Sequence, residues 1–123
     1  MLVAAVSASA QTAMVQSGRY ADFRQLLSRE APSDQAIVAM TVRLPDEARD
    51  RYPAVVIVHT IAGYQEANEG WHADAFRKAG FATLTYDSPT ARSMLRGAST
   101  GSRGEPWAAA VAETYSALRL LAG

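Results

Sequence analysis

The chain has no cysteine among its 123 residues and only two histidines. Without thiols, disulfides, thiolate metal sites and a cysteine nucleophile are excluded within these residues. The histidines lack the spacing of a metal site, and no metal or cofactor is expected. Twelve basic residues balance twelve acidic ones, so a nucleic-acid partner is not indicated. The remaining composition is that of one globular domain.

The N-terminal segment "MLVAAVSASAQT" has a short apolar stretch followed by Ala8-Ser9-Ala10. This pattern is typical of the tail of a secretory signal, so residues 1–10 are interpreted as its remnant. The stretch is too short to span a bilayer. The positively charged n-region is missing, which leaves two alternatives. Either the start lies upstream and the protein is periplasmic or secreted, or the N-terminus is merely apolar and the protein is cytoplasmic.

Residues 11–32 are predicted to be a helical extension, because apolar side chains recur at helical spacing in "RYADFRQLLSRE". Residues 33–123 are predicted to form an α/β domain. A strand is expected in "AIVAMTVRLP", with its more apolar face formed by Val38, Met40, Val42 and Leu44. The unbroken β-branched run "AVVIVH" predicts a central parallel strand covered on both faces.

A helix in "NEGWHADAFRKAG" and a strand in "FATLTYD" complete a βαβ unit. Asn68 is expected to cap this helix and Gly80 to end it. A last helix carries Trp107, Val111, Tyr115 and Leu118 on one face, beside small alanines that allow close packing on a sheet. The expected fold is a three-layer, mostly parallel sheet with flanking helices.

Residues 97–101 match G-x-S-x-G, the pattern of a nucleophile elbow around Ser99. That motif needs an apolar strand before it and a helix directly after it. Neither "TARSMLR" nor "SRGEPW" fits, so this segment is interpreted as a solvated loop.

His59, Thr60 and Ile61 lie where the "AVVIVH" strand ends. Ligands of open α/β sheets bind beyond the carboxyl ends of strands, and backbone N–H groups there can hold an oxyanion. For the His59 ring itself, a hydrogen bond to a backbone carbonyl is the favoured interpretation. Gly63 is expected to allow a sharp turn. After the next strand, Asp87 either caps a turn or lines the cleft, and Arg92 either pairs with Asp87 or binds a substrate carboxylate.

The segment "YPAVVIVHTIAGY…W…AFRKAGFATLTYDSPTAR" resembles the dienelactone hydrolase family of α/β-hydrolases. The shared features are a strand ending in His, a short loop to Gly, a helix, a second strand ending in Asp, and an Arg after it. The likeness covers residues 36–121.

The resemblance implies hydrolysis of a small-molecule ester or lactone by a Ser or Cys nucleophile, a His base and an Asp. It places one oxyanion N–H on Ile61, shaped by His59 and Thr60, and substrate binding on Arg92. Thr60 stands where dienelactone hydrolases often have Glu, which favours a more general esterase-like relative. The chain then corresponds to the N-terminal half, and is expected to be inactive alone because the nucleophile, acid and base follow Gly123.

A hydrolase has two rival interpretations. A non-catalytic, hydrolase-like module would bind a partner through its open sheet edge. A nucleotide- or phosphate-binding α/β protein is disfavoured, because "HTIAGYQEANEG" is acidic and lacks the Gly-rich phosphate fingerprint.

Overall fold

A computed structural model of the chain describes residues 10–32, 34–91 and 105–123. The described elements, in chain order, are β1 (Ala10–Arg19), α1 (Phe23–Leu27), β2 (Asp34–Arg43), β3 (Ala54–Ile57), a π-helical turn (Glu66–Gly70) leading into α2 (Trp71–Lys78), β4 (Ala82–Tyr86), α3 (Ser88–Ala91) and α4 (Glu105–Ala122). Apart from Ala10, the predicted signal remnant lies outside the described residues, and so do Arg92 and the G-x-S-x-G segment.

The strands form one four-stranded sheet in the order β1-β2-β4-β3. β2 runs antiparallel to both of its neighbours, β1 and β4, while β3 and β4 are parallel. The expected combination of one sheet with helices is therefore confirmed, but the sheet is mixed rather than mostly parallel. The difference arises because β2 enters the sheet in the opposite direction to β4.

β3 lies at the edge of the sheet, next to β4 alone. Its residues are half-buried or exposed, and Val58 just beyond it is 46% exposed. The prediction of a central strand is wrong for the described sheet, because no described strand pairs with the second edge of β3. An apolar, uncovered edge of this kind is a pairing site for another strand.

The core lies between the sheet and α4. Val38, Met40 and Leu84 are fully buried there, together with Tyr86 and Ala117. The register pairs Met40 with Tyr86 across β2 and β4, so these side chains share one face of the sheet. The predicted apolar face of β2 is confirmed by this arrangement.

Helix α4 turns its alanines, not its aromatic residues, toward the sheet. Ala108, Ala109 and Ala117 are buried, whereas Trp107 and Tyr115 are 58% and 60% exposed. Small side chains let the helix axis approach the strands closely, and the large residues are then left outside. None of the described helices, α4 included, is long and apolar enough to cross a membrane.

Helix α2 lies on the opposite face of the sheet. Thr83 of β4 points away from the α4 side and is still only 1% exposed, so α2, which packs on β4, covers it. Gly80 ends this helix with a φ of 95°, as predicted. Asn68 does not cap it, because a π-helical turn precedes α2 and Asn68 lies inside that turn. Trp71 remains 64% exposed.

The N-terminal part is a strand followed by a short helix. β1 pairs with β2 along its whole length. Residues 11–19 therefore lie in a strand where a helical extension over residues 11–32 was predicted, and the helix of this part is the short α1. Asp22 ends the extended stretch, because its carboxylate accepts a hydrogen bond from the Gln25 N–H at 2.9 Å and caps α1.

Candidate functional site

The loop after β3 makes a tight turn at its centre. The N–H of Gly63 donates to the Thr60 carbonyl at 2.9 Å, and the N–H of Ala62 donates to the Thr60 hydroxyl at 3.3 Å. Gly63 has a φ of 82°, a left-handed conformation that favours glycine. The predicted sharp turn at Gly63 is therefore confirmed.

The His59 ring ties this turn to the end of β4. Its Nε2 accepts a hydrogen bond from the Ser88 N–H at 3.0 Å, so in the neutral ring Nδ1 carries the proton. Nδ1 then donates to the Thr60 carbonyl at 2.6 Å. The ring also packs edge-on against Tyr86, with centroids 5.4 Å apart. Both nitrogens are used structurally, which confirms the interpretation of a histidine satisfied by a backbone carbonyl.

Replacing His59 by alanine is expected to lower the free energy of unfolding by about 1–3 kcal/mol, because the N–H of the buried residue Ser88 loses its acceptor. The matched control is His72→Ala. The His72 side chain is exposed on α2, so its loss should change stability by less than about 0.5 kcal/mol. Urea titrations followed by circular dichroism measure both. Equal losses in the two variants would contradict the bridging role of His59.

Asp87 holds the far end of the same loop. Its Oδ1 accepts a hydrogen bond from the Tyr64 N–H at 3.0 Å, and its Oδ2 accepts one from the Thr90 hydroxyl at 2.7 Å. The carboxylate thus serves both the β3 loop and the start of α3. Both sequence interpretations, a turn cap and a residue beside the cleft, describe part of this geometry.

A buried pair that sequence reasoning missed lies next to His59. The Ser88 hydroxyl donates to Glu113 Oε1 at 2.8 Å, and both residues are almost completely buried. This bond joins α3 to α4. Glu113 could have been flagged as the one acidic residue among the buried alanines of α4. Ser88 offers only its N–H to His59 and its hydroxyl to Glu113, so these three residues are not arranged as a catalytic triad.

Of the predicted site residues, His59, Thr60 and Ile61 lie together in the turn. The His59 ring and the Thr60 carbonyl and hydroxyl are all engaged. Within the described part of the chain, the Ile61 N–H donates no hydrogen bond. The backbone amide of Ile61 is therefore one donor in this turn that is available to a ligand. Arg92 lies outside the described residues.

A cleft of about 220 Å³ opens beside the loop on the α2 side of the sheet, lined by Arg43, Tyr64, Glu66 and Asp87 among others. The Tyr64 hydroxyl donates to Glu66 Oε2 at 2.6 Å. Burial, and then the hydrogen bond to Glu66, raise the pKa of Tyr64 to about 12. Gly70 leaves room for this pair, because a Cβ at position 70 would lie 2.5 Å from Glu66 Oε1.

The raised pKa of Tyr64 predicts a loss of stability at high pH. The folded state binds the phenolic proton more tightly than the unfolded state, whose tyrosine titrates near 10. The contribution is complete below pH 10 and is lost as the pH rises through 12. Urea titrations across this range should show a shallower decline in Tyr64→Phe than in the unchanged protein. Identical pH slopes would rule out the tyrosine as the source.

The described residues include no group of three His, Asp or Glu side chains that could hold a metal ion. A scan against protein-family models and searches of curated proteins and of solved structures found no significant match.

Proposed function

We propose that the chain supplies the oxyanion-binding half of a dienelactone hydrolase-like enzyme that cleaves ester or lactone bonds. The observation that carries the proposal is the backbone N–H of Ile61, which donates no hydrogen bond to a described residue. Ile61 lies in a loop that follows the third strand and precedes a helix. In α/β-hydrolases, one oxyanion N–H comes from the loop between the third strand and the next helix. The other comes from the residue after the nucleophile.

Hydrogen bonds anchor this loop along its length. His59, Gly63 and Asp87 fix it at its start, centre and end. Donors that are already oriented stabilise a developing negative charge without reorganising during the reaction. The His59 ring, which anchors the loop, thus supports the proposed role of the Ile61 N–H as an oxyanion donor.

The sheet edge supports the same proposal. β4 occupies one side of β3, and the other side is uncovered in the described sheet. β4 follows β3 in the chain and lies on one side of it, so a later parallel strand on the other side would reverse the order of strands in the sheet at β3. Ligands of open α/β sheets bind at such a switch point. In the proposal, that strand and the nucleophile, acid and His base belong to a segment C-terminal to Gly123.

The proposed reaction is acyl transfer. A Ser or Cys nucleophile attacks the carbonyl carbon of the ester or lactone, and the carbonyl oxygen takes up negative charge that the Ile61 N–H stabilises. The His base removes the proton of the nucleophile and delivers it to the leaving oxygen as the carbon–oxygen bond breaks, which leaves an acyl-enzyme. Water then attacks the acyl carbon, its proton returns to the nucleophile through the His base, and the acid is released. The resemblance alone gives Arg92 the role of binding a substrate carboxylate. Thr60, which stands where dienelactone hydrolases often have Glu, favours a more general esterase.

The experiment compares two purified proteins with p-nitrophenyl butyrate and with a simple lactone. The 123-residue chain alone is expected to give only the buffer rate, while the gene product that extends past Gly123 is expected to turn over. Activity of the short chain that disappears in Ser99→Ala would contradict the proposal, as would an inactive but folded extended product.

A second candidate is a non-catalytic, hydrolase-like binding module. It is favoured by the outer face of α4, where Trp107, Tyr115 and Leu118 are between 49% and 60% exposed. Exposed aromatic and apolar side chains on one helix face are typical of a protein-binding surface. This alternative would be favoured if the 123-residue protein were folded and monodisperse and if no longer gene product had esterase activity.

A further inference from the structure

A second cleft, of about 530 Å³, lies between α1 and α4, away from the β3 loop. Its volume is within the range of small-molecule sites, roughly 300–1,000 Å³. Apolar walls come from Leu26 and Leu27 on α1 and from Val111 and Tyr115 on α4. An apolar body of several carbon atoms therefore finds contact surface on both sides.

Arg119 is the only charged side chain among the described residues that line this cleft. Its Nη2 donates to the Ser116 hydroxyl at 3.2 Å, and Ser116 is itself buried. No described carboxylate lies within 4.0 Å of this guanidinium. A guanidinium with further N–H donors can bind a carboxylate through two hydrogen bonds.

The end of β1 shapes the wall opposite α4. Gly18 lies under the Tyr20 ring, and a Cβ at position 18 would lie 2.7 Å from that ring. Both residues line the cleft. The absent side chain at position 18 lets the Tyr20 ring lie against the strand, so a larger residue at position 18 would displace a part of the cleft wall.

We infer that this cleft binds a small carboxylate with an apolar body, its carboxylate on Arg119 and its hydrocarbon between Leu27 and Tyr115. Charge complementarity selects this class, because the described lining residues include one cation and no acidic group to balance it. The site shares no residue with the proposed oxyanion loop. It therefore stands whether or not the chain belongs to a hydrolase.

The test uses octanoate as the probe and octylamine as its matched control, since the two share the apolar chain and differ in charge. Calorimetric titration of the 123-residue protein is expected to show millimolar or tighter binding of octanoate and no binding of octylamine. Arg119→Gln is expected to weaken octanoate binding about tenfold or more. Arg49→Gln, which removes an exposed arginine paired with Glu47, should leave the affinity unchanged.

A second variant covers the case in which Arg119→Gln does not fold. Leu27 is 77% exposed, so Leu27→Glu should fold normally and should repel octanoate from the rim of the cleft. Octanoate binding that survives both substitutions would overturn the inference. So would octylamine binding of equal strength, or no octanoate binding at millimolar concentration.

Discussion

Replacing Ile61 by proline is expected to lower kcat/KM for ester hydrolysis by about 100- to 1,000-fold in the extended gene product. Proline has no N–H, so the oxyanion loses one of its donors at the moment when its charge is greatest. KM should change much less than kcat, because the donor acts mainly in the transition state. Stopped-assay or continuous kinetics with p-nitrophenyl butyrate measure both constants.

Ile61→Val is the matched control. It keeps the backbone N–H and most of the side chain, so its kcat/KM is expected to stay within a few-fold of the unchanged enzyme. Thermal unfolding of both variants shows whether proline has disturbed the turn formed by Thr60 and Gly63. Full activity in a folded Ile61→Pro variant would remove Ile61 from the mechanism.

Replacing Leu84 by alanine is expected to lower the free energy of unfolding by about 2–5 kcal/mol. Leu84 is fully buried in the core between β2, β4 and α4. Its removal leaves a cavity beside Met40 and Val38, which are themselves fully buried and have little room to move. Urea unfolding of the 123-residue protein measures the loss.

Leu118→Ala provides the comparison for the same chemical change on the outer face of α4. Leu118 is 49% exposed, so its truncation should cost less than about 1 kcal/mol. If the two variants lost equal stability, α4 would have to pack on the sheet through its large residues, contrary to the described orientation.

Local patterns in the sequence predicted the elements around the site well. The alternation in β2, the apolar runs of β3 and β4, and the glycines at 63 and 80 each act within a few residues. The satisfied His59 was also predictable, because a polar ring at the end of a strand has backbone groups within reach. These features depend on neighbours close in the chain.

The arrangement of the sheet could not be predicted in the same way. An unbroken apolar run such as "AVVIVH" is typical of a central strand, but its partners are set by distant residues. β1 has few β-branched residues and weak alternation, so its pairing with β2 had no clear local signal. In α4, the sequence placed small alanines beside the aromatic residues but did not show that the alanines alone would face the sheet and leave Trp107 and Tyr115 exposed.

The hydrogen bond between the buried residues Ser88 and Glu113 could not be predicted from the sequence either. Ser88 and Glu113 are 25 residues apart, and nothing in the intervening sequence indicates that they form a hydrogen bond. Their contact depends on how α3 and α4 are brought together over the end of β4. Sequence reasoning therefore found the turn after β3 but missed part of the polar network beside it.

The most direct test of the proposed hydrolase is to determine the coding sequence that follows the codon for Gly123. The account predicts an apolar strand ending in G-x-S-x-G or G-x-C-x-G, followed further on by an Asp and then a His. A stop codon directly after Gly123, or a continuation without these residues, would contradict it and leave the binding module as the function to pursue.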